Sequence, residues 1–84
     1  MFKTSATLYD KRLTFRAEKT SEGYKVYSDQ FPDFVGEGRI IQEAVREILN
    51  ELKFYIHIYG EIISKGIPMS DSEEFRKVYT YFTN

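Results

Sequence analysis

The stretch Glu22–Ala44, EGYKVYSDQFPDFVGEGRIIQEA, decides the fold. Near its start, YKVYS (Tyr24–Ser28) is rich in aromatic and β-branched side chains and reads as a strand. The run then meets a Pro-Asp, passes glycines at 36 and 38, and enters a segment with helical spacing. A strand followed by a short glycine-spaced crossing and a helix is the joint of a two-layer α+β unit.

Upstream, the sequence reads as β structure. In the segment from Arg12 to Lys19, Leu13, Phe15 and Ala17 share one face, and Thr14, Arg16 and Glu18 share the other. The turn signal Thr20–Gly23 joins this segment to Tyr24–Ser28 as a hairpin. Phe2–Tyr9 is a further strand or the start of a longer one, with Asp10 and Lys11 as a turn or a bulge. Downstream, from Ile41, the apolar positions Ala44, Val45, Ile48, Leu49, Leu52, Tyr55, Ile56, Tyr59, Ile62 and Ile63 form one helical stripe. Glu43, Arg46, Glu47, Asn50, Glu51 and Lys53 occupy the opposite face. Gly60 weakens this helix internally, and Lys65-Gly66 with Pro68 beyond should end it. Ser70, Asp71 or Ser72 is expected to cap a short helical turn, and KVYTYFT reads as a last strand. The expected fold is α+β: a small antiparallel sheet of three to four strands packed on one long helix, in the order β-β-β-α-β. The 84 residues are expected to form a single domain spanning 1–84.

The composition narrows the function. Twelve basic and thirteen acidic residues leave a formal charge of -1, without the broad positive field that grips phosphate backbones. Tyr24, Tyr27, Tyr79, Tyr81 and Phe82 could stack on bases, but only Lys25, Arg76 and Lys77 accompany them, so nucleic acid is weakly supported. Cysteine is absent, so there is no disulfide framework; together with the lack of an apolar leader or membrane-length apolar run, this gives a cytoplasmic expectation and no membrane partner.

Catalytic and cofactor signals are thin. The one histidine, His57, has Glu61 and Lys53 as helical neighbours, too few ligands for a metal site. Gly36-Glu37-Gly38 lacks the spacing and the lysine of a phosphate loop, and Asp33 and Glu37 repel phosphate. Asp29, Asp33 and Glu37 read as a solvated acidic rim rather than a magnesium cluster. The chain is therefore expected to be no enzyme and to carry no cofactor or metal.

Gly23-Tyr24, Pro32-Asp33, Gly38 and Glu43-Ala44, with Gly66 and Pro68 matching loosely downstream, resemble the HicB-like antitoxin family over roughly residues 12–70. That resemblance implies a partial RNase H-like β-β-β-α-β domain without catalytic carboxylates. It implies an antitoxin that neutralises a HicA-type mRNA-cleaving toxin by covering its active site, often as a homodimer or higher homo-oligomer. The alternative is a phage-encoded or stand-alone HicB-fold inhibitor of a host nuclease or defence complex, for example anti-CRISPR-like. The chain departs from the family where FVGEG replaces a Pro-Gly-Cys segment and where Gly38-Arg39-Ile40 replaces Gly-Asp-Thr before the helix. About fourteen residues follow Ser70, too few for a helix-turn-helix or ribbon-helix-helix, which puts in doubt the operator binding that many complete members of the family perform. The expected partner-binding residues are Tyr27, Asp29, Phe31, Asp33, Phe34 and Glu37, with the carboxylates steering encounter and the aromatics anchoring. Val78, Tyr79, Tyr81 and Phe82 are expected to form a dimer interface by strand pairing.

Overall fold

The computed structural model describes residues 2–66 and 73–83. Four strands come first: β1 (Phe2–Leu8), β2 (Lys11–Thr20), β3 (Gly23–Ser28) and β4 (Val35–Gly38). Two helices follow, α1 (Ile41–Lys65) and α2 (Glu73–Thr83). The fold is α+β, with one four-stranded antiparallel sheet in the order β1-β2-β3-β4 and one long helix. The chain divides into two compact units, Met1–Asn50 and Glu51–Asn84.

In the first unit, each strand pairs with its neighbour in sequence. Tyr9 and Asp10 form the β1–β2 turn with φ of 49° and 65°. Two positive φ values in a two-residue loop give the turn twist that suits a hairpin. Phe2–Leu8 is thus a separate strand, paired Leu8↔Lys11 through Phe2↔Ala17. The second hairpin is the expected one, with Phe15↔Ser28 at one end and Thr20↔Gly23 at the other. Gly23 has φ 153°, and a Cβ there would sit 2.2 Å from the Gly38 carbonyl oxygen.

The alternation along β2 separates the two faces. Leu13, Phe15 and Ala17 are buried, and Val26 and Ser28 on β3 join them under the start of α1. Thr14, Arg16, Glu18, Lys25, Tyr27 and Glu37 lie on the opposite face, where none is buried.

The fourth strand corrects the sequence reading. Val35–Gly38, expected as a glycine turn, pairs with β3 from Tyr24↔Gly38 to Tyr27↔Val35. Its glycines serve close packing. A Cβ on Gly36 would lie 2.1 Å from the Ala44 carbonyl oxygen, and one on Gly38 would lie 2.6 Å from the Glu43 Cβ. The missing side chains let α1 rest on the β4 backbone, bringing Ala44, Val45 and Ile48 into the core.

Helix α1 starts without an Asp, Ser or Thr cap. Glu43 compensates: its Oε1 accepts the backbone N–H groups of Arg39 (2.9 Å) and Ile40 (3.3 Å). This is the reciprocal half of a capping box, supplied from the third helical position. The helix ends as expected at Lys65, with Gly66 at φ 66° and its N–H donating to the Ile63 carbonyl.

The second unit differs from the expected β ending. Residues 77–83, read as a strand, belong to α2. Phe75, Val78, Tyr79 and Phe82 recur at helical spacing, and the short aromatic run fits either period when read alone. Tyr55 of α1 stacks on Phe75 with centroids 4.4 Å apart, and Tyr59 meets Tyr79 at 5.1 Å. The expected caps at Ser70, Asp71 and Ser72 lie outside the described residues. Glu61 and Lys65 form an exposed pair at 3.1 Å along α1.

Gly60 lies within α1 with Tyr79 alongside; a Cβ there would meet the Tyr79 ring at 3.9 Å, ordinary contact distance. Gly60→Ala therefore adds a methyl without a clash and removes backbone freedom from the unfolded chain. It is expected to stabilise by about 0.5–1 kcal/mol, read as a higher urea midpoint by circular dichroism. An unchanged or lower midpoint would mean that α1 does not run through residue 60 in this geometry.

Candidate partner-binding surface

The site is built at the end of the second hairpin, where β3 gives way to the loop before β4. Asp29 is bound into the sheet. Its Oδ2 accepts the Thr14 hydroxyl at 2.7 Å, its Oδ1 pairs with Arg16 Nε at 3.1 Å, and its N–H donates to the Thr14 carbonyl. Gln30 adds a second pair of bonds: its Oε1 accepts the Thr14 N–H (3.1 Å) and its Nε2 donates to the Thr14 hydroxyl (3.2 Å).

Residues 31–34 form a β-turn, closed by Phe34 N–H to the Phe31 carbonyl at 2.9 Å, with Pro32 and Asp33 at its centre. The turn points two aromatics inward. Phe31 is 7% exposed and Phe34 3%, and their rings sit 5.9 Å apart. Buried Ser28 holds the turn from below, its hydroxyl accepting the Phe31 N–H at 3.1 Å. The outward positions are left to Pro32 and Asp33, both exposed.

The expected site residues therefore separate. Asp33 and Glu37 are exposed, and Tyr27 is half-buried on the open sheet face. Arg16 and Lys25 approach the Tyr27 ring at 5.8 and 5.9 Å from its centroid, within cation–π range. Lys25 also sits directly across the sheet from Glu18 and from Glu37. Asp29 is occupied by Arg16 and Thr14, so it orders the loop rather than offering a free carboxylate. Phe31 and Phe34 are core plugs, and the anchor role expected of them does not hold in this fold. Thr14, Arg16 and Gln30, which fix the loop, were not singled out as site residues; the only sequence signal for them is polar residues on the open face of β2 and beside Asp29.

At the other expected surface, Val78 (1% exposed) and Phe82 (9%) are buried, while Tyr79 and Tyr81 are half-buried on α2. Strand-to-strand pairing through residues 78–82 is ruled out because they are helical.

Compared with protein-family models, with curated proteins and with solved structures, the chain matches none. The likeness to HicB-like antitoxins thus rests on the motif residues alone.

His57 is exposed on α1, and among the described residues no three His, Cys, Asp or Glu side chains gather as metal ligands. No helix among the described residues is long and apolar enough to cross a membrane. Tyr55 ionises above its ordinary value of 10.0, because burial disfavours the phenolate and because Glu51 and Glu74 add negative charge nearby. At neutral pH it is a neutral phenol stacked on Phe75.

Proposed function

We propose that this chain is a non-enzymatic binding protein that inhibits a basic RNA-cleaving partner, as the HicB-like resemblance implies for a HicA-type toxin. The observation that supports this is the hydrogen-bonded turn at residues 31–34. Its apolar members face inward, and its carboxylate Asp33 is displayed to solvent near the start of β4, which carries exposed Glu37. A turn already held by Ser28, Asp29 and Gln30 loses little conformational freedom when a partner binds. Exposed carboxylates on such a support speed encounter with a cationic groove and set orientation. Tyr27, on the open sheet face, offers a ring and a hydroxyl to the same partner.

The test is inhibition of RNA cleavage by a purified HicA-type toxin. The full chain should inhibit, and the double variant Asp33→Lys, Glu37→Lys should associate about tenfold or more slowly, with a reduced salt dependence. Both positions are exposed, so the variant's circular dichroism should match that of the parent. Wild-type chain that does not slow cleavage would remove the toxin-inhibitor reading. Unchanged association by the charge-reversed variant would remove Asp33 and Glu37 from the interface.

A further inference from the structure

Strand β1 is the outermost strand on the side of the sheet away from β4. It is seven residues long, carries no proline, and pairs with β2 without interruption. Leu8 and Lys11 flank the two-residue turn and face each other across it. In an antiparallel pair, hydrogen-bonded positions alternate with outward-facing ones. Leu8, Ala6, Thr4 and Phe2 therefore bond to β2, while Lys3, Ser5 and Thr7 turn their N–H and C=O groups away from the sheet. A seven-residue edge of this kind is a template for another extended segment.

The edge runs beside a groove of about 660 Å³ between β1 and the first turns of α1. Phe2, Ile40, Ile41, Val45 and Leu49 supply its apolar wall, with Phe2 and Ile40 more than half exposed. Phe2 leans edge-on toward Tyr24, 6.4 Å between centroids, which leaves its outer side open to the groove. The charged residues of the lining are Lys3 and Arg46, both cations. On the opposite sheet face, Lys3 and Arg16 sit directly across from each other, and Arg12 sits across from Thr7. In a chain whose net charge is -1, this edge carries Arg46 on the groove side and Lys3 and Arg12 on the other.

We propose that β1 binds an extended acidic peptide segment of another protein as a fifth strand, with apolar and acidic residues alternating along it. Backbone bonds to Lys3, Ser5 and Thr7 give affinity, and alternate side chains select the sequence. Side chains on the α1 side enter the apolar groove. Those on the other side meet Lys3 and Arg12, where carboxylates are favoured; Arg16 beside them is already paired with Asp29. Charge disfavours a second copy of β1 here, because it would bring two further cations, its own Lys3 and Arg46, to a seam that already holds two. The edge lies across the sheet from Asp33 and Glu37, so it serves a contact separate from that of the proposed inhibitory surface.

The probe is a fluorescein-labelled peptide of about seven residues, the length of β1, alternating valine and glutamate, titrated with the full chain by fluorescence anisotropy. Binding should shift the amide signals of Lys3, Ser5 and Thr7. A valine–lysine peptide should bind at least about tenfold more weakly, as like charges on both faces require. Ser5→Pro removes an outward N–H on an edge strand, and Lys3→Glu reverses the edge charge without touching the backbone; each should weaken binding by about tenfold. The proposal is overturned if the valine–glutamate peptide does not bind at millimolar concentration. It is also overturned if both peptides bind alike, if the shifted amides lie elsewhere, or if sedimentation shows a second copy pairing through β1.

Discussion

Gly36→Ala should lower the free energy of unfolding by about 3 kcal/mol, the upper range for forcing a methyl into a filled core. The new Cβ would fall 2.1 Å from the Ala44 carbonyl oxygen, 3.0 Å from the Ala44 carbonyl carbon and 3.1 Å from Ile48 Cγ1. Two of these three atoms are helix backbone, so rotating a side chain does not relieve the clash. The start of α1 must lift away from β4, taking Ala44, Val45 and Ile48 out of close contact with the sheet. A domain of this size holds only about 5–10 kcal/mol in total, so the variant should unfold at a much lower urea concentration. Amide exchange in β3, β4 and residues 41–48 should rise first. The glycine at 60 gives an internal contrast. The same substitution there meets only the Tyr79 ring at 3.9 Å and is expected to act in the opposite direction. Equal urea midpoints for wild type and Gly36→Ala would mean that helix and strand do not meet this closely.

Phe34→Ala is the second large effect. Phe34 is 3% exposed and packs against Phe31, so truncation empties a space that the turn cannot refill without losing its own hydrogen bonds. The expected loss is about 3–4 kcal/mol, within the range for a phenylalanine removed from a core. The consequence extends to recognition, because the ring fixes the turn that displays Asp33. Under the proposed function, partner affinity should fall through loss of order in residues 29–34, although the Phe34 ring is itself buried. Phe34→Leu separates the two roles: it keeps most of the apolar volume and should restore both stability and affinity to near the wild-type level. A Phe34→Ala protein as stable as wild type yet weak in partner binding would restore the anchor role that burial denies.

Much of the first unit was legible from residue pattern. The alternation through Leu13, Phe15 and Ala17 gave the buried face of β2, and Thr20–Gly23 gave the second hairpin. The stripe from Ala44 to Leu52 gave the buried side of α1, and Lys65-Gly66 gave its end. The glycines of β4 misled, because a strand of four residues with two glycines carries almost no propensity signal. Their purpose shows only against the helix that rests on them. Residues 77–83 misled for a different reason. Valine, tyrosine and phenylalanine favour strands, while their spacing with Phe75 suits a helix, and pairing with Tyr55 and Tyr59 decides for the helix.

The candidate site was legible in its charges and not in its aromatics. Asp33 and Glu37 lie where local polarity puts them, in solvent. Whether Phe31 and Phe34 face inward or outward depends on the hand of a turn, which the Pro-Asp pair initiates but does not orient. Asp29 shows a similar limit. Its binding to Thr14 and Arg16 spans thirteen or more residues of sequence and follows only from the hairpin register.

The sheet order repeats the order of synthesis: every strand lies beside the one made just before it. Among the described residues no strand waits for a distant partner, so the search for native pairings is short and loop-closure entropy stays small at each step. Such a chain should reach its folded form quickly, with hairpins growing one on the next and α1 settling once the glycines of β4 are in place. Under the inhibitory role proposed above, rapid self-assembly would matter as much as the strength of the final grip.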